Sequence, residues 1–283
     1  GQGILYRDDK IIQQGTFIND VFDDSKEIDP LRGSLFVEQI ENVDSYILSP
    51  INSRNGFTYR INSRTGKTIF KGNLVNGKLN GQCEIYYENG QPLYKGENKD
   101  GDRHGQGTSY NRCGRLIYDG EWSNDKFNGQ GKYYFDDGVL RYEGKFKDDK
   151  FHGRGKAYYE NGDLKIECEF KNGKYDGQGI AYYENGKLRY DGEYKNGKRC
   201  GYGKEYDEKG ELIYEGIWSD RNRHGQGKEY ENGILKSEGE WANGSFIQGK
   251  SYNNGILRSE RNLNRMKEYD EKGEFRFEGE IKN

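Results

Sequence analysis

The sequence repeats itself every 24 residues, and that period constrains the fold more than any other feature. Segments begin at Phe70, Tyr94, Tyr118, Tyr142, Ile166, Tyr190 and Tyr214, then with shortening spacing at Ser237, Ser259 and Phe277. The sharpest read YDGEWSNDKFNGQGKYYFDDGVLR from Tyr118 and YEGKFKDDKFHGRGKAYYENGDLK from Tyr142. A unit this short cannot bury its own apolar face, so neighbouring units must cover one another.

Each unit resolves into two strands. Tyr118, Gly120 and Trp122 alternate with Asp119, Glu121 and Ser123, a period of two with one apolar and one polar side. The second strand follows Gly129-Gln130-Gly131 and runs through Lys132-Tyr133-Tyr134-Phe135. Asp137-Gly138, Asn161-Gly162 and Asn185-Gly186 close units at one end, and Asn172-Gly173 and Asn196-Gly197 turn the chain at the other. Such pairs favour primed hairpin turns because they accept positive φ. The fold class expected is all-β: an elongated, single-layer, twisted antiparallel sheet of tandem β-hairpins.

Glycines recur at Gly105, Gly129, Gly153, Gly177, Gly201 and Gly225, and again two residues later. Repeated strand glycines mark bends, or places where a ring lies on bare backbone. Rings available for this recur in two rows, of which Tyr110, Tyr134, Tyr158, Tyr182, Tyr206 and Tyr230 form the first. Trp122, Phe146, Phe170, Tyr194 and Trp218 form a second row. Stacking from unit to unit would replace a second layer, since a large ring buries roughly 150–250 Å².

Five segments are expected: partial repeats over 1–22, a loop insertion over 23–55, the end of the interrupted repeat over 56–69, seven regular repeats over 70–236, and degenerate repeats over 237–283. The insertion carries Pro30 and Pro50, with a mixed stretch over 35–47 that reads as a short helix. A chain that opens on Gly1 instead of Met reads as part of a longer one. The motif restarting at Phe277-Glu278-Gly279 implies that repeats continue.

Composition removes several classes of function. The 45 basic and 48 acidic residues give a net charge of −3, without the broad positive field of a nucleic-acid binder. No run of 18 apolar residues exists to span a membrane as a helix. Leu, Ile, Val and Phe are sparse, but 24 tyrosines argue for a folded chain.

No residue pattern in the sequence points to catalytic chemistry. His104, His152 and His224 occupy one repeat position, spaced too widely to share a metal, and read as structural. The Gly-x-Gly elements extend neither to a dinucleotide fingerprint nor to a phosphate loop. The carboxylates alternate outward on strands or sit in turns. No enzyme activity, cofactor or metal is expected.

The motif Y-E-G-E-W, then N-G-K-x-H-G-x-G, then a Tyr-rich strand and an Asp/Asn-Gly turn, resembles the MORN repeat (membrane occupation and recognition nexus) over about 220 residues. The long tail YYENGKLRY from Tyr182 is also similar to the variant repeat of bacterial YwqK-type proteins. The resemblance implies a non-enzymatic scaffold for other proteins of a large assembly, with self-association left open. It further implies a cytoplasmic, cytoskeletal setting in a ciliary axoneme, such as a radial spoke or another microtubule-associated assembly. Richness in Lys, Asn, Ile and Tyr fits an AT-rich genome such as a ciliate's. Alternatives are a membrane-associated module for acidic phospholipids, a module that targets an attached enzyme, or a bacterial YwqK-like antitoxin. The lipid alternative is the weaker one, because Lys and Arg are interleaved with acids.

Trp122, Phe146, Phe170, Tyr194 and Trp218 project together from successive first strands, and they are the protein-binding residues expected from sequence. The insertion is expected to make a second, separate contact. Cys83, Cys113, Cys168 and Cys200 share no C-x-x-C spacing and read as free thiols of a reducing compartment. All four should titrate with a thiol reagent after denaturation without reductant; a count near zero would overturn that reading.

Overall fold

Short hairpins set by Asn, Asp and Gly build the architecture. In the computed structural model, residues 55–62 and 64–280 are described in full, and residues 2–7, 10–18, 21–23, 36–39 and 45–49 by their backbone. The fold is all-β, with tandem antiparallel hairpins and no helix among the described residues. Two compact units divide the chain: residues 1–140 with 146–149, and residues 141–145 with 150–283. In the first, strands from Phe36–Gln39 to Lys126–Tyr134 pair antiparallel, each with the next in sequence. In the second, the same meander runs from Lys150–Tyr158 to Phe275–Glu280.

The two ends of each repeat turn differently. Asn172 and Gly173 (φ 53° and 79°) and Asn196 and Gly197 (50° and 80°) both lie in the left-handed region, as a two-residue primed turn requires. At Asn124-Asp125 and Asp148-Asp149 this geometry is kept without glycine, at φ between 49° and 64°. The second aspartate ties the turn to the previous repeat. Asp125 Oδ1 accepts the Arg103 backbone N–H and Nε at 3.0 and 2.9 Å, and Asp149 Oδ1 accepts the Phe127 N–H at 2.8 Å.

The opposite end departs from expectation. At Asn161-Gly162 and Asn185-Gly186 only the glycine has positive φ. Each asparagine carboxamide instead accepts the N–H two residues on, and the register shifts by one in the strand before the turn. These are longer bulged turns, not primed ones.

The helix expected over 35–47 gives way to strands at Phe36–Gln39 and Ser45–Ser49. Val37 faces Leu48 and Tyr46 faces Ile61, so these β-branched and aromatic residues extend the sheet beyond Gly56–Asn62. The rest of the insertion expected over 23–55 lies outside the described residues. Near the start of the chain, strands Gln2–Arg7, Lys10–Ile18 and Val21–Asp23 form their own antiparallel sheet. Gly3 there opposes Gly15, as Gly107 opposes Gly120 in a regular repeat.

The core is a file of rings laid over glycine backbone. Tyr94, Tyr118, Tyr142, Tyr190 and Tyr214 are 0% exposed. A Cβ added to Gly131 would lie 2.5–2.7 Å from the ring and hydroxyl of Tyr118, so only glycine leaves room for the ring. The hydroxyl is not left unpaired; Tyr118 donates to the Glu121 carbonyl at 2.8 Å, and Tyr94 to Glu97 at 2.7 Å. The glycines therefore do carry rings, but they are the first-strand tyrosines. Tyr110, Tyr134, Tyr158, Tyr182, Tyr206 and Tyr230, one of the two rows available by spacing, are half-buried on the other side of the sheet.

Ring contacts join consecutive repeats within each unit. Trp122 meets Tyr94 edge-on at 5.3 Å and Tyr118 at 5.2 Å, and its indole Nε1 donates to the Gly107 carbonyl at 2.9 Å. Tyr142 meets Phe170 at 5.1 Å, Tyr190 meets Trp218 at 5.6 Å, and Tyr214 meets Trp241 at 5.4 Å. Phe127 and Phe151 stack flat on Tyr118 and Tyr142 at 3.9 Å. Arg199 and Arg223 take that place later, with guanidinium groups 4.6 Å from Tyr190 and Tyr214. Their charge is met by Glu205 and Glu229 at 2.6 to 3.3 Å.

Two cysteines follow the same volume rule. Ile166 replaces the tyrosine of its repeat, and Cys168 stands where other repeats carry glycine; Cys83 likewise stands in the glycine position opposite Gly72. A smaller ring or none leaves space for a small apolar side chain, and both thiols are buried.

Three substitutions rank these contributions. Tyr118→Phe should cost about 1 kcal/mol for the lost hydrogen bond. Gly131→Ala should cost about 1–3 kcal/mol through overpacking against the ring. Trp122→Ala should cost about 3–5 kcal/mol as a cavity mutation. Urea denaturation followed by circular dichroism measures all three, and a silent Gly131→Ala would refute the ring-on-glycine arrangement.

Candidate interaction surface

The residues expected to contact partners are core residues. Trp122, Phe146, Phe170, Tyr194 and Trp218 are between 1% and 8% exposed. Each packs edge-on against one or two tyrosines, so none offers a face to a partner without opening the sheet. The structure lines up Trp122 and Phe146 in the first unit, and Phe170, Tyr194 and Trp218 in the second, but as the packing of the repeats. Their early counterparts are buried too. Leu74 is 3% exposed, and Asn98, 4% exposed, donates to the Gly101 carbonyl and accepts the Cys83 thiol.

What remains accessible is the other side of the sheet, and it is ordered. The residue between the first-strand tyrosine and glycine is charged in nearly every repeat, as is the residue after Gly-x-Gly. Hairpin register sets these residues opposite one another. In the first unit the row runs Lys71, Glu84, Lys95, Thr108, Asp119, Lys132. In the second it runs Lys156, Glu167, Ile180, Asp191, Lys204, Glu215, Lys228, Glu238, Lys250, Glu260, Lys267, Glu278. Opposite charges alternate across the strands, as favourable cross-strand pairing demands.

Glu84 bridges Lys71 and Lys95 at 3.3 and 3.4 Å, and Lys204 reaches Glu215 at 3.6 Å. A second row beside the first pairs Gln82 with Glu97, Gln106 with Glu121, and Gln178 with Glu193. Tyrosines of the second strands brace the charged row: Tyr158 donates to Glu143 at 2.6 Å, and Tyr230 to Glu215 and Tyr252 to Glu238 at 2.8 Å.

This face is concave in each unit. A groove of about 460 Å³ in the first is lined by Phe57, Lys71, Gln82, Glu84, Lys95, Gln106, Thr108 and Asp119, among others. One of about 450 Å³ in the second is lined by Tyr202, Glu215, Gln226, Lys228, Glu238 and Lys250, with backbone glycines. Both grooves follow the charged row.

Electrostatics suits recognition more than reaction. The hydroxyl of Tyr230, then Lys204, holds the Glu215 carboxyl below its ordinary range. Burial pushes the Cys83 thiol up to about 12 and the Cys168 thiol up to about 11, far from thiolate chemistry at neutral pH. Among the described residues no group of three His, Cys, Asp or Glu is placed to hold a metal ion. No helix among them is long and apolar enough to cross a membrane.

Hairpin units of this length, each laying a tyrosine on a Gly-x-Gly strand, are matched by two sequence models. The MORN repeat model matches residues 94–110, 118–139, 142–164, 190–211 and 214–234, and the MORN repeat variant matches 79–99 and 175–196. Residues 79–234 are MORN repeats. A search of curated proteins finds no match for the chain. MORN repeats are generally interaction modules for proteins or membrane lipids, and the groove-bearing charged face is the accessible surface that this array offers.

The pH response follows from these pairs. Because the folded pKa of Glu215 is depressed, its contribution is present above its ordinary pKa of 4.5 and is lost as pH falls through the folded value. The urea midpoint should therefore drop on acidification below that point, and Glu215→Gln should flatten part of the drop. At the alkaline end, burial and then Glu215 push Tyr230 up to about 12, and burial and then Glu238 push Tyr252 up to about 12. Raised values mean stability that is complete below pH 10 and lost as pH rises further. Phenolate absorbance at 295 nm should thus rise cooperatively with unfolding; independent titration near the ordinary value would contradict the packing.

Proposed function

We propose that the chain is a non-catalytic scaffold that binds other proteins along the charged, grooved face of its MORN repeats. The single observation supporting this over lipid binding is the alternating row of Lys with Glu or Asp. A vesicle of anionic lipid attracts clustered cations, each worth about 1 kcal/mol near the surface, and in this row each lysine has an acidic neighbour across the strand. A protein surface can present both signs in register, which makes such a row a specificity device. The finer setting, a cytoplasmic component of a ciliary axoneme, draws its support from the resemblance and from the Lys-, Asn- and Tyr-rich composition.

Two sedimentation experiments test the two levels of this reading. With vesicles of phosphatidylcholine and phosphatidylserine at physiological salt, the protein should stay in the supernatant. Pelleting beyond the pure phosphatidylcholine control would favour the lipid-binding alternative. With purified ciliate axonemes the protein should pellet saturably, and its remaining soluble would remove the axonemal setting.

A further inference from the structure

We infer that the charged face of the second unit carries a docking point, centred on Ile180, for an extended basic and partly apolar protein segment. The inference rests on the scaffold reading above and specifies the chemistry of the partner.

The charged row is interrupted by a neutral residue twice. Thr108 stands between Lys95 and Asp119, where the order of charges on first and second strands reverses. Either sign at position 108 would face a like charge, so a neutral residue is the electrostatic solution. Ile180 is different. It stands between two acids, Glu167 and Asp191, where a lysine would satisfy both. Lys204, Lys228 and Lys250 fill the equivalent second-strand position in later repeats, each between two carboxylates. The row's own electrostatics therefore does not account for Ile180.

The surroundings match what a missing cation would leave. Glu167 has Lys156 opposite it on its other side and Arg154 at 3.2 Å, whose side chain is 80% exposed, but no cation on the Ile180 side. Asp191 is exposed, and Lys204 opposite it is engaged by Glu215. Ile180 is 38% exposed, and the same face carries Tyr202 at 49% and Ile217 at 38%. Tyr202 and Ile217 are a cross-strand pair at positions that hold Gln178 with Glu193 and Gln226 with Glu240 in neighbouring repeats. Tyr202 also forms a wall of the groove of about 450 Å³.

Charge and shape together select the occupant. A Lys or Arg side chain can lay its aliphatic stem on Ile180 and place its cation between the two carboxylates, restoring the alternation. Apolar residues flanking that cation would meet Tyr202 and Ile217. The same carboxylates repel an acidic segment and a lipid phosphate.

The test uses the full chain with isoleucine δ1-methyl ¹³C labelling and two peptide probes, one alternating Lys and Leu and one alternating Glu and Leu, at about 150 mM salt. The Lys–Leu peptide should shift the Ile180 and Ile217 methyl resonances saturably, and the Glu–Leu peptide should not. Ile180→Lys supplies the cation within the chain. It should weaken the Lys–Leu peptide about fivefold or more, read on Ile217, while Ile180→Val stays within about twofold. Ile180→Lys should keep or raise the urea midpoint, so a loss of binding is not a loss of fold. Equal effects of both peptides, or unchanged affinity in Ile180→Lys, would overturn the inference. Lys–Leu binding that moves methyls only in the first unit would also overturn it, yet would leave the scaffold reading standing. The scaffold reading fails separately, by vesicle pelleting.

Discussion

A phenol ring pressed onto two strands of bare glycine backbone is the contact on which the array depends. Tyr118 covers Gly120 and Gly131, hands its hydroxyl to the Glu121 carbonyl, and is itself covered by Trp122, Phe127 and Phe146. Every part of this is local to one repeat and the next. A sheet with no second layer over it can be stabilised this way because the rings form the layer. The glycines follow from the rings, since their hydrogens are all that fits beneath. Where the ring is lost, as at Ile166, a glycine can become Cys168.

That use of the rings decides what is left for function. An array with Trp and Tyr at regular intervals looks rich in interface anchors. A single layer, however, consumes them: the five rings expected to meet partners are each needed to cover a tyrosine. The polar side, where the grooves lie, is the surface left accessible. Salt bridges there have side chains 21–49% exposed in the regular pairs, such as Lys204 with Glu215 and Lys250 with Glu260. Exposed pairs contribute about 0–1 kcal/mol, so the row does little to hold the fold.

Much of the fold was legible in the sequence, and the limits are instructive. The period, the two strands per repeat and the Asn-Gly turns all follow from spacing, because hairpin chemistry is local. Spacing alone offers the Tyr134 row or the Trp122 row as the rings on the glycines, whereas the structure lays Tyr118 there. All three rows recur every 24 residues, and only the strand register, with Tyr118 facing Tyr133, puts Tyr134 on the far side. The strands at Phe36–Gln39 and Ser45–Ser49 were missed because no repeat signal marks them. The charged row was visible residue by residue, at Asp119 and Lys132 for example, but read as a solvated face. Its order emerges only once register sets Asp119 beside Lys132 and Lys204 between Asp191 and Glu215.

Separate sides of one sheet thus carry separate constraints. On the ring side, a change at Gly131 or Trp122 propagates to the next repeat, because the ring that one repeat supplies is the roof of its neighbour. On the charged side, a change alters one cross-strand pair and little else. Repeats can therefore keep an identical packing side while each varies its polar side, and Ile180, Tyr202 and Ile217 show such variation within an otherwise regular row. Such variation differs by position along each unit instead of being gathered in a single pocket. The 24-residue period then acts as a ruler: equivalent residues recur every two strands, and strands lie about 4.8 Å apart. An extended segment lying across the strands of one unit would meet a new pair of charges at each step, and would have to match the reversal at Thr108 in the first unit or the lapse at Ile180 in the second.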